Sequence, residues 1–254
     1  MAETQFEDTV AVVTGAAGGI GRETALRFAA EGARVVVADV DEEGGAETVR
    51  LVTEAGGVAV FERCDVSASD EVAALVDGAV ERWGRLDAVV NNAGVGGLRA
   101  PTAAYPEDDW ARTLAVNAGG VFHGTKHALR HLVPAGRGSV VNVASVAGLV
   151  GFAGSVAYCA SKHAVVGVTR AAALEVATAG VTVNAVCPAF TETAMVDRLR
   201  RFDQGLGPRL AQAMPVGRMG TVAEIAAAIL YLCGPDARFL TGVALPLDGG
   251  LTAA

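Results

Sequence analysis

Short unbroken apolar runs alternate with longer stretches of helical spacing along almost the whole chain. Residues 9–14, 34–39, 58–61, 86–90, 139–144, 181–186 and 243–247 read as seven strands, most of them rich in Val. Residues 20–31, 42–55, 69–83, 107–131, 155–179 and 221–232 carry apolar positions three and four apart and read as helices. A strand that is apolar at every position is covered on both faces. Such strands, alternating with helices, wind into a parallel sheet with helices above and below it. The pattern predicts an α/β fold, with residues 1–254 forming a single doubly wound domain around a mostly parallel seven-stranded sheet. No linker or low-complexity segment divides it. The irregular stretch at about 189–220 follows the C-terminal end of a strand, the side on which open α/β sheets take ligands. It is expected to form a substrate-binding lid.

Composition narrows the class. Of 254 residues, 52% are hydrophobic and 19% charged, which excludes a disordered chain. The formal net charge of −8 argues against a nucleic-acid partner, which would need clustered cations. Cys64, Cys159, Cys187 and Cys233 are widely spaced, so reduced thiols are expected rather than a zinc site or a disulfide framework. The acidic first residues do not resemble a signal peptide. The apolar stretch 140–158 is interrupted by Asn142, serines and glycines, so no membrane span is expected. A cytoplasmic location follows as the expectation.

The candidate chemistry starts at the first strand–helix junction, Thr14-Gly-Ala-Ala-Gly-Gly-Ile-Gly21. Gly15, Gly19 and Gly21, with Gly18 and Ile20 between them, suit a sharp turn that brings backbone close to a pyrophosphate. The helix N-terminus then offers free N–H groups and a partial positive charge. No Lys-Ser/Thr follows the last glycine, so this is not a nucleoside-triphosphate loop. Asp39 ends the second strand, where a carboxylate binds both ribose hydroxyls and repels a 2′-phosphate; Gly18 supplies no base for that phosphate. A Rossmann-type domain that prefers NAD to NADP is expected. Tyr158 and Lys162 lie four apart, on one helix face. A nearby ammonium favours the phenolate and brings tyrosine towards use as a general acid/base. Ser145 follows the fifth strand, where its hydroxyl can hold a substrate oxygen.

Taken together, these residues resemble the short-chain dehydrogenase/reductase family over essentially the whole chain. Thr14–Gly21 resembles its cofactor loop, Asp65-Val66 its adenine contact, and Asn91-Asn92-Ala93-Gly94 its motif after the fourth strand. Asn117, Ser145, Tyr158 and Lys162 match its catalytic set in order and spacing. The segment from Pro188 through Thr191 to Thr193 resembles the one that holds the nicotinamide amide, and Asp248-Gly-Gly its C-terminal turn. The resemblance implies that Lys162 also bonds the nicotinamide ribose, that Asn117 relays protons through water, and that the chain forms a homotetramer. The tetramer would use the helices 107–131 and 155–179, whose small residues Ala118, Gly119, Gly120, Gly167 and Ala171–Ala173 permit close packing. Ala189 departs from the family's usual glycine, which predicts a small local strain if its φ is positive.

The expected activity is NAD(H)-dependent interconversion of a secondary alcohol and a ketone, with a small, apolar substrate and no metal. The three histidines His123, His127 and His131 recur every four residues and are expected to form a packed or interfacial face. The alternatives are an NADPH-dependent 3-oxoacyl thioester reductase, a dehydratase or epimerase with retained NAD, and a non-catalytic NAD-binding protein.

Overall fold

A computed structural model describes residues 4–193 and 205–253. The strands are β1 (Val10–Thr14), β2 (Arg34–Asp39), β3 (Val58–Arg63), β4 (Ala88–Asn91), β5 (Gly138–Val143), β6 (Val181–Pro188) and β7 (Ala244–Leu247). They form one sheet in the order β3-β2-β1-β4-β5-β6-β7, and every neighbouring pair is parallel. The order in which strands are added reverses between β1 and β4, which opens the ligand-binding crevice of a doubly wound sheet there.

The described helices are α1 (Gly19–Ala30), α2 (Glu42–Glu54), α3 (Ser69–Trp83), α4 (Glu107–Leu114), α5 (Gly120–Ala135), α6 (Val156–Val176), α7 (Leu206–Ala213) and α8 (Val222–Cys233). Alternate strand residues face opposite ways, so each Val-rich strand feeds two cores. On one face Val13, Val35, Val37 and Val90 pack with Phe28 of α1, Val52 of α2, and Ile225 and Ile229 of α8. On the other, Val12, Val36, Val89 and Val140 pack with Val72 and Val76 of α3, Leu132 of α5 and Val176 of α6. Each fully buried aliphatic side chain contributes about 1.5–3 kcal/mol.

Two departures from the sequence pattern bear on the site. The helix expected over 107–131 is interrupted by a π-turn, Ala115–Gly119, and then runs on to Ala135. The Gly120 N–H reaches back to the Ala115 carbonyl, five residues earlier. Of the small residues read as packing against a second copy, Gly120 instead lies against Val66, and Ala172 and Ala173 are buried in the chain's own core. Gly167 and Ala171 remain exposed.

At the opposite edge of the sheet, Asp87 joins the starts of three strands. Its backbone N–H donates to Val10 and its carbonyl accepts from Ser139. Its carboxylate accepts from the Val10 N–H at 3.0 Å, from Arg85 at 2.8 Å through each oxygen, and from Arg137 at 3.3 Å. Burial pushes the Asp87 carboxyl up, but these donors outweigh it and hold the pKa below the ordinary value. A lowered carboxyl contributes stability that is present above its unfolded pKa and lost as pH falls through the folded one. Asp87→Asn should therefore lose about 1–3 kcal/mol in urea unfolding at pH 7. The gap between variant and wild type should close as the pH drops below the carboxylate range; a gap that persists at low pH would refute the charge-based account.

Candidate active site

The residues singled out in the sequence gather along the C-terminal edge of the sheet. The glycine loop follows β1, Asp39 ends β2, Asp65 and Val66 follow β3, Asn92–Gly94 follow β4, Ser145 follows β5 and Pro188 ends β6. One rim thus carries both the dinucleotide candidates and the proton-handling candidates.

The loop is as tight as its glycines suggested. Gly15 has φ +66°, and a Cβ there would come within 2.7 Å of the Ala93 backbone. A Cβ on Gly21 would fall on the Gly15 carbonyl. Gly18 differs: its φ is −170°, and a Cβ there would meet nothing within 4 Å. The loop therefore packs on β4 beneath and stays open above, beside the N-terminus of α1, a fit for a pyrophosphate. Thr193 lies over it, 3.7 Å from where a Gly19 Cβ would be.

Asn92 turns its amide inwards. It donates to the Thr14 carbonyl at 2.9 Å and the Gly15 carbonyl at 3.0 Å, while the Thr14 hydroxyl accepts from the Asn92 and Ala93 N–H groups. Asn92 therefore holds the loop with its side chain. Asp39 accepts from the Ala17 N–H at 2.9 Å through one oxygen and from the Asp41 N–H at 3.0 Å through the other. Each oxygen keeps a second lone pair for a hydroxyl donor. Asp65 accepts from Ser67, whose side-chain bond lowers its pKa. The Val66 carbonyl lies 3.0 Å from His123 Nδ1.

Lys162 is 4% exposed, and its ammonium donates to the Val143 carbonyl at 2.8 Å. Its Nζ lies 5.7 Å from the centre of the Tyr158 ring. Burial pushes the Lys162 pKa down to about 8 and the Tyr158 pKa up; a hydrogen bond with Ser145 works against the rise at Tyr158. Ser145 accepts from the Ala147 N–H at 3.1 Å and donates to the Pro188 carbonyl at 3.4 Å, which ties the ends of β5 and β6 together. A tyrosine with a lysine beside its ring and a fixed hydroxyl next to it can take a proton from an alcohol or return it to an alkoxide.

Asn117 is fully buried inside the π-turn. Its carbonyl accepts from the Val95 N–H at 2.8 Å, and its amide donates to the Val95 carbonyl at 2.9 Å and to Ser161 at 3.0 Å. Ser161 in turn donates to the Tyr158 carbonyl at 2.8 Å. A Cβ on Gly94 would approach both Asn117 Oδ1 (3.2 Å) and Lys162 Nζ (3.6 Å), so the three residues meet at one point. The family resemblance singled out Asn117, but Ser161 and Arg22 carried no comparable signal.

Past β6, Thr191 pairs with Gly220 in a parallel bridge, and Phe190 packs on Leu210 and Met219. Phe152 meets the Phe190 ring edge-on at 6.2 Å. Residues 194–204 of the expected lid, with Arg198, Arg200 and Arg201, lie outside the described residues. Ala189 does not take a positive φ, since Asp8 is the one described non-glycine residue that does; the expected strain is absent. The histidines pack α5 on α3: His127 Nε2 lies 3.1 Å from the Ser69 hydroxyl, and His131 Nε2 2.6 Å from Asp77. Among the described residues no helix is long and apolar enough to cross a membrane.

The family model described as enoyl-(acyl carrier protein) reductase matches residues 15–252. The chain is 41% identical to a 3beta-hydroxysteroid dehydrogenase from Mediterraneibacter gnavus, over 98% of this chain and 96% of that one. It is 42% identical to a cis-4-hydroxycyclohexanecarboxylate dehydrogenase from Sinomonas cyclohexanicum, over 98% of each. Among solved structures, an NAD+-bound xylitol dehydrogenase matches with a TM-score of 0.92 and 35% identity, over 97% of this chain and 100% of that one. An actinorhodin polyketide ketoreductase with NADPH matches with a TM-score of 0.93 and 41% identity, over 99% of each. The family model covers nearly the whole chain and the relatives match it end to end, so the chain belongs to the short-chain dehydrogenase/reductase family.

Proposed function

We propose that this chain is an NAD(H)-dependent dehydrogenase that interconverts a secondary alcohol on an apolar, alicyclic skeleton and the corresponding ketone. The observation that carries the cofactor choice is Asp39 at the end of β2, with the baseless Gly18 opposite it. A carboxylate there favours ribose hydroxyls over a phosphate. Gly15, Gly18, Gly19, Ile20 and Gly21 would take the pyrophosphate, Asp65, Val66, Ala93 and Gly94 would line the adenosine and nicotinamide ends, and Pro188, Thr191 and Thr193 would hold the amide. A bound nicotinamide supplies the acceptor or donor of the hydride.

The chain's own residues handle the proton. Ser145 fixes the substrate oxygen, Tyr158 exchanges a proton with it, and Lys162 steadies the phenolate and reaches the ribose. Asn117 holds the Val95 peptide and sits at the inner end of the relay. The alicyclic preference rests on the apolar Phe152 and Phe190 and on the two ring-alcohol dehydrogenases to which the chain is similar. Residues 189–220 act as the lid of this one catalytic domain. A homotetramer through α4–α5 and α6 is supported by Phe122 and Leu174, which stand exposed on those helices.

The reading is tested by absorbance at 340 nm, with NAD+ and NADP+ in parallel, across cyclohexanols, sterols, open-chain secondary alcohols and 3-oxoacyl thioesters. NAD+-linked oxidation of ring alcohols is expected to dominate. Preference for NADPH and a thioester would move the chain to the ketoacyl reductases.

A further inference from the structure

Arg22, the first residue beyond the glycine motif, is tied to no carboxylate among the described hydrogen bonds. Its Nε donates to the Thr48 hydroxyl at 2.9 Å, and its Nη2 donates to the Gly44 carbonyl at 3.1 Å and to the Ala17 carbonyl. Thr48 and Gly44 belong to α2, while Ala17 is in the glycine loop. Ala17 is therefore gripped through both flanking peptides: Asp39 takes the residue's N–H and Arg22 takes its carbonyl. The preceding residue is held in the same way, with the Ala16 N–H donating to Ala38 at 3.2 Å and the Ala16 carbonyl accepting from Thr48 at 2.8 Å. All four polar groups of Ala16 and Ala17 are spent on β2, α2 and Arg22. None is left for a phosphate.

The bonds run in series from Arg22 to the Ala17 carbonyl, across the residue to its N–H, and on to Asp39 Oδ2. A guanidinium is planar and fixed by several donors at once, so it sets direction as well as distance. We infer that Arg22 is a positioning residue for dinucleotide choice: by fixing Ala17 it fixes the Asp39 carboxylate in the orientation that accepts ribose hydroxyls and rejects a 2′-phosphate. This inference rests on the NAD preference proposed above.

The test is a double-mutant cycle on the full-length protein. Arg22→Met and Asp39→Ala are made alone and together, and Arg22→Lys is added as the conservative variant. Affinities for NAD+, NADP+ and ADP-ribose are measured by titration calorimetry, and KM and kcat with NAD+ in parallel. Arg22→Met should lower the NAD+/NADP+ affinity ratio by about tenfold, as coupled neighbours do. It should weaken ADP-ribose in step and leave kcat at saturating NAD+ within about twofold. In the Asp39→Ala background the same change should alter the ratio less than about twofold. Arg22→Lys, which can still reach one carbonyl, should recover part of the ratio. Equal weakening of both dinucleotides, or an equal effect in both backgrounds, would reduce Arg22 to a general support of the fold and overturn the inference while leaving the NAD reading intact. If Asp39→Ala alone leaves the ratio unchanged, the NAD reading itself falls, and the role of Arg22 with it. Should Arg22→Met not fold, Arg22→Lys carries the same comparison, with the same outcomes on a smaller scale.

Discussion

Tyr158→Phe is expected to lower kcat by about 10²–10⁴-fold in both directions, the usual contribution of a general acid/base. The loss should fall on kcat rather than on the cofactor KM, because the ring and the helix that carry it stay in place. Burial raises the Tyr158 pKa and lowers that of Lys162 to about 8, so it favours the neutral form of each. Alcohol oxidation, which needs the base form, should gain with rising pH, and ketone reduction with falling pH. Both trends should be lost in the phenylalanine variant. Folding should barely register the change, since one net hydrogen bond corresponds to about 2–4 °C in a chain of this size. A variant that keeps its activity would remove Tyr158 from the chemistry.

Asp39→Ser combined with Gly18→Arg should reverse the coenzyme preference. Losing charge-assisted bonds to the ribose should cut kcat/KM with NAD+ by about 10–100-fold, from roughly 1.5–3 kcal/mol per bond. Removing a carboxylate from beside a 2′-phosphate and adding a guanidinium there should raise kcat/KM with NADP+ by at least about tenfold. The backbone accepts both changes. Gly18 has an extended φ that any residue adopts, with open space where a side chain would start. A serine at position 39 can still take one of the two N–H groups the carboxylate now accepts. Unchanged NAD+ preference in the double variant would show that the choice is made elsewhere.

The scaffold was largely legible in the sequence because its cues are local and periodic. Val-rich runs marked all seven strands, with ends misplaced by up to two residues, and glycines at fixed spacing marked the loop. Tyr158 and Lys162 drew notice because they lie four apart on one helix face and follow Ser145 and a dinucleotide loop in order. Other features depend on contacts between distant segments, and no spacing encodes them. The π-turn around Asn117 has an apolar pattern that an ordinary helix shares. The inward amide of Asn92 needs the Thr14 and Gly15 carbonyls, 78 and 77 residues away. The grip of Arg22 depends on α2 lying beside the loop. Ala189 misled for a related reason: an unusual residue implied strain, but the backbone there keeps a φ that alanine tolerates.

The π-turn also divides what looks like one rod into two independently set pieces. It admits one residue more than an α-turn, which rotates α4 by about 100° relative to α5 around the shared axis. Tyr105 and Asp109, which pin the Leu98 N–H, therefore belong to a different angular frame from the residues that grip α3 and the sheet. A one-residue deletion between Ala115 and Gly119 would remove the extra residue and turn α4 by about 100° against α5. Because α4 also packs on α6, the helix that carries Tyr158 and Lys162, such a turn would reach the proton machinery as well as the Leu98 loop.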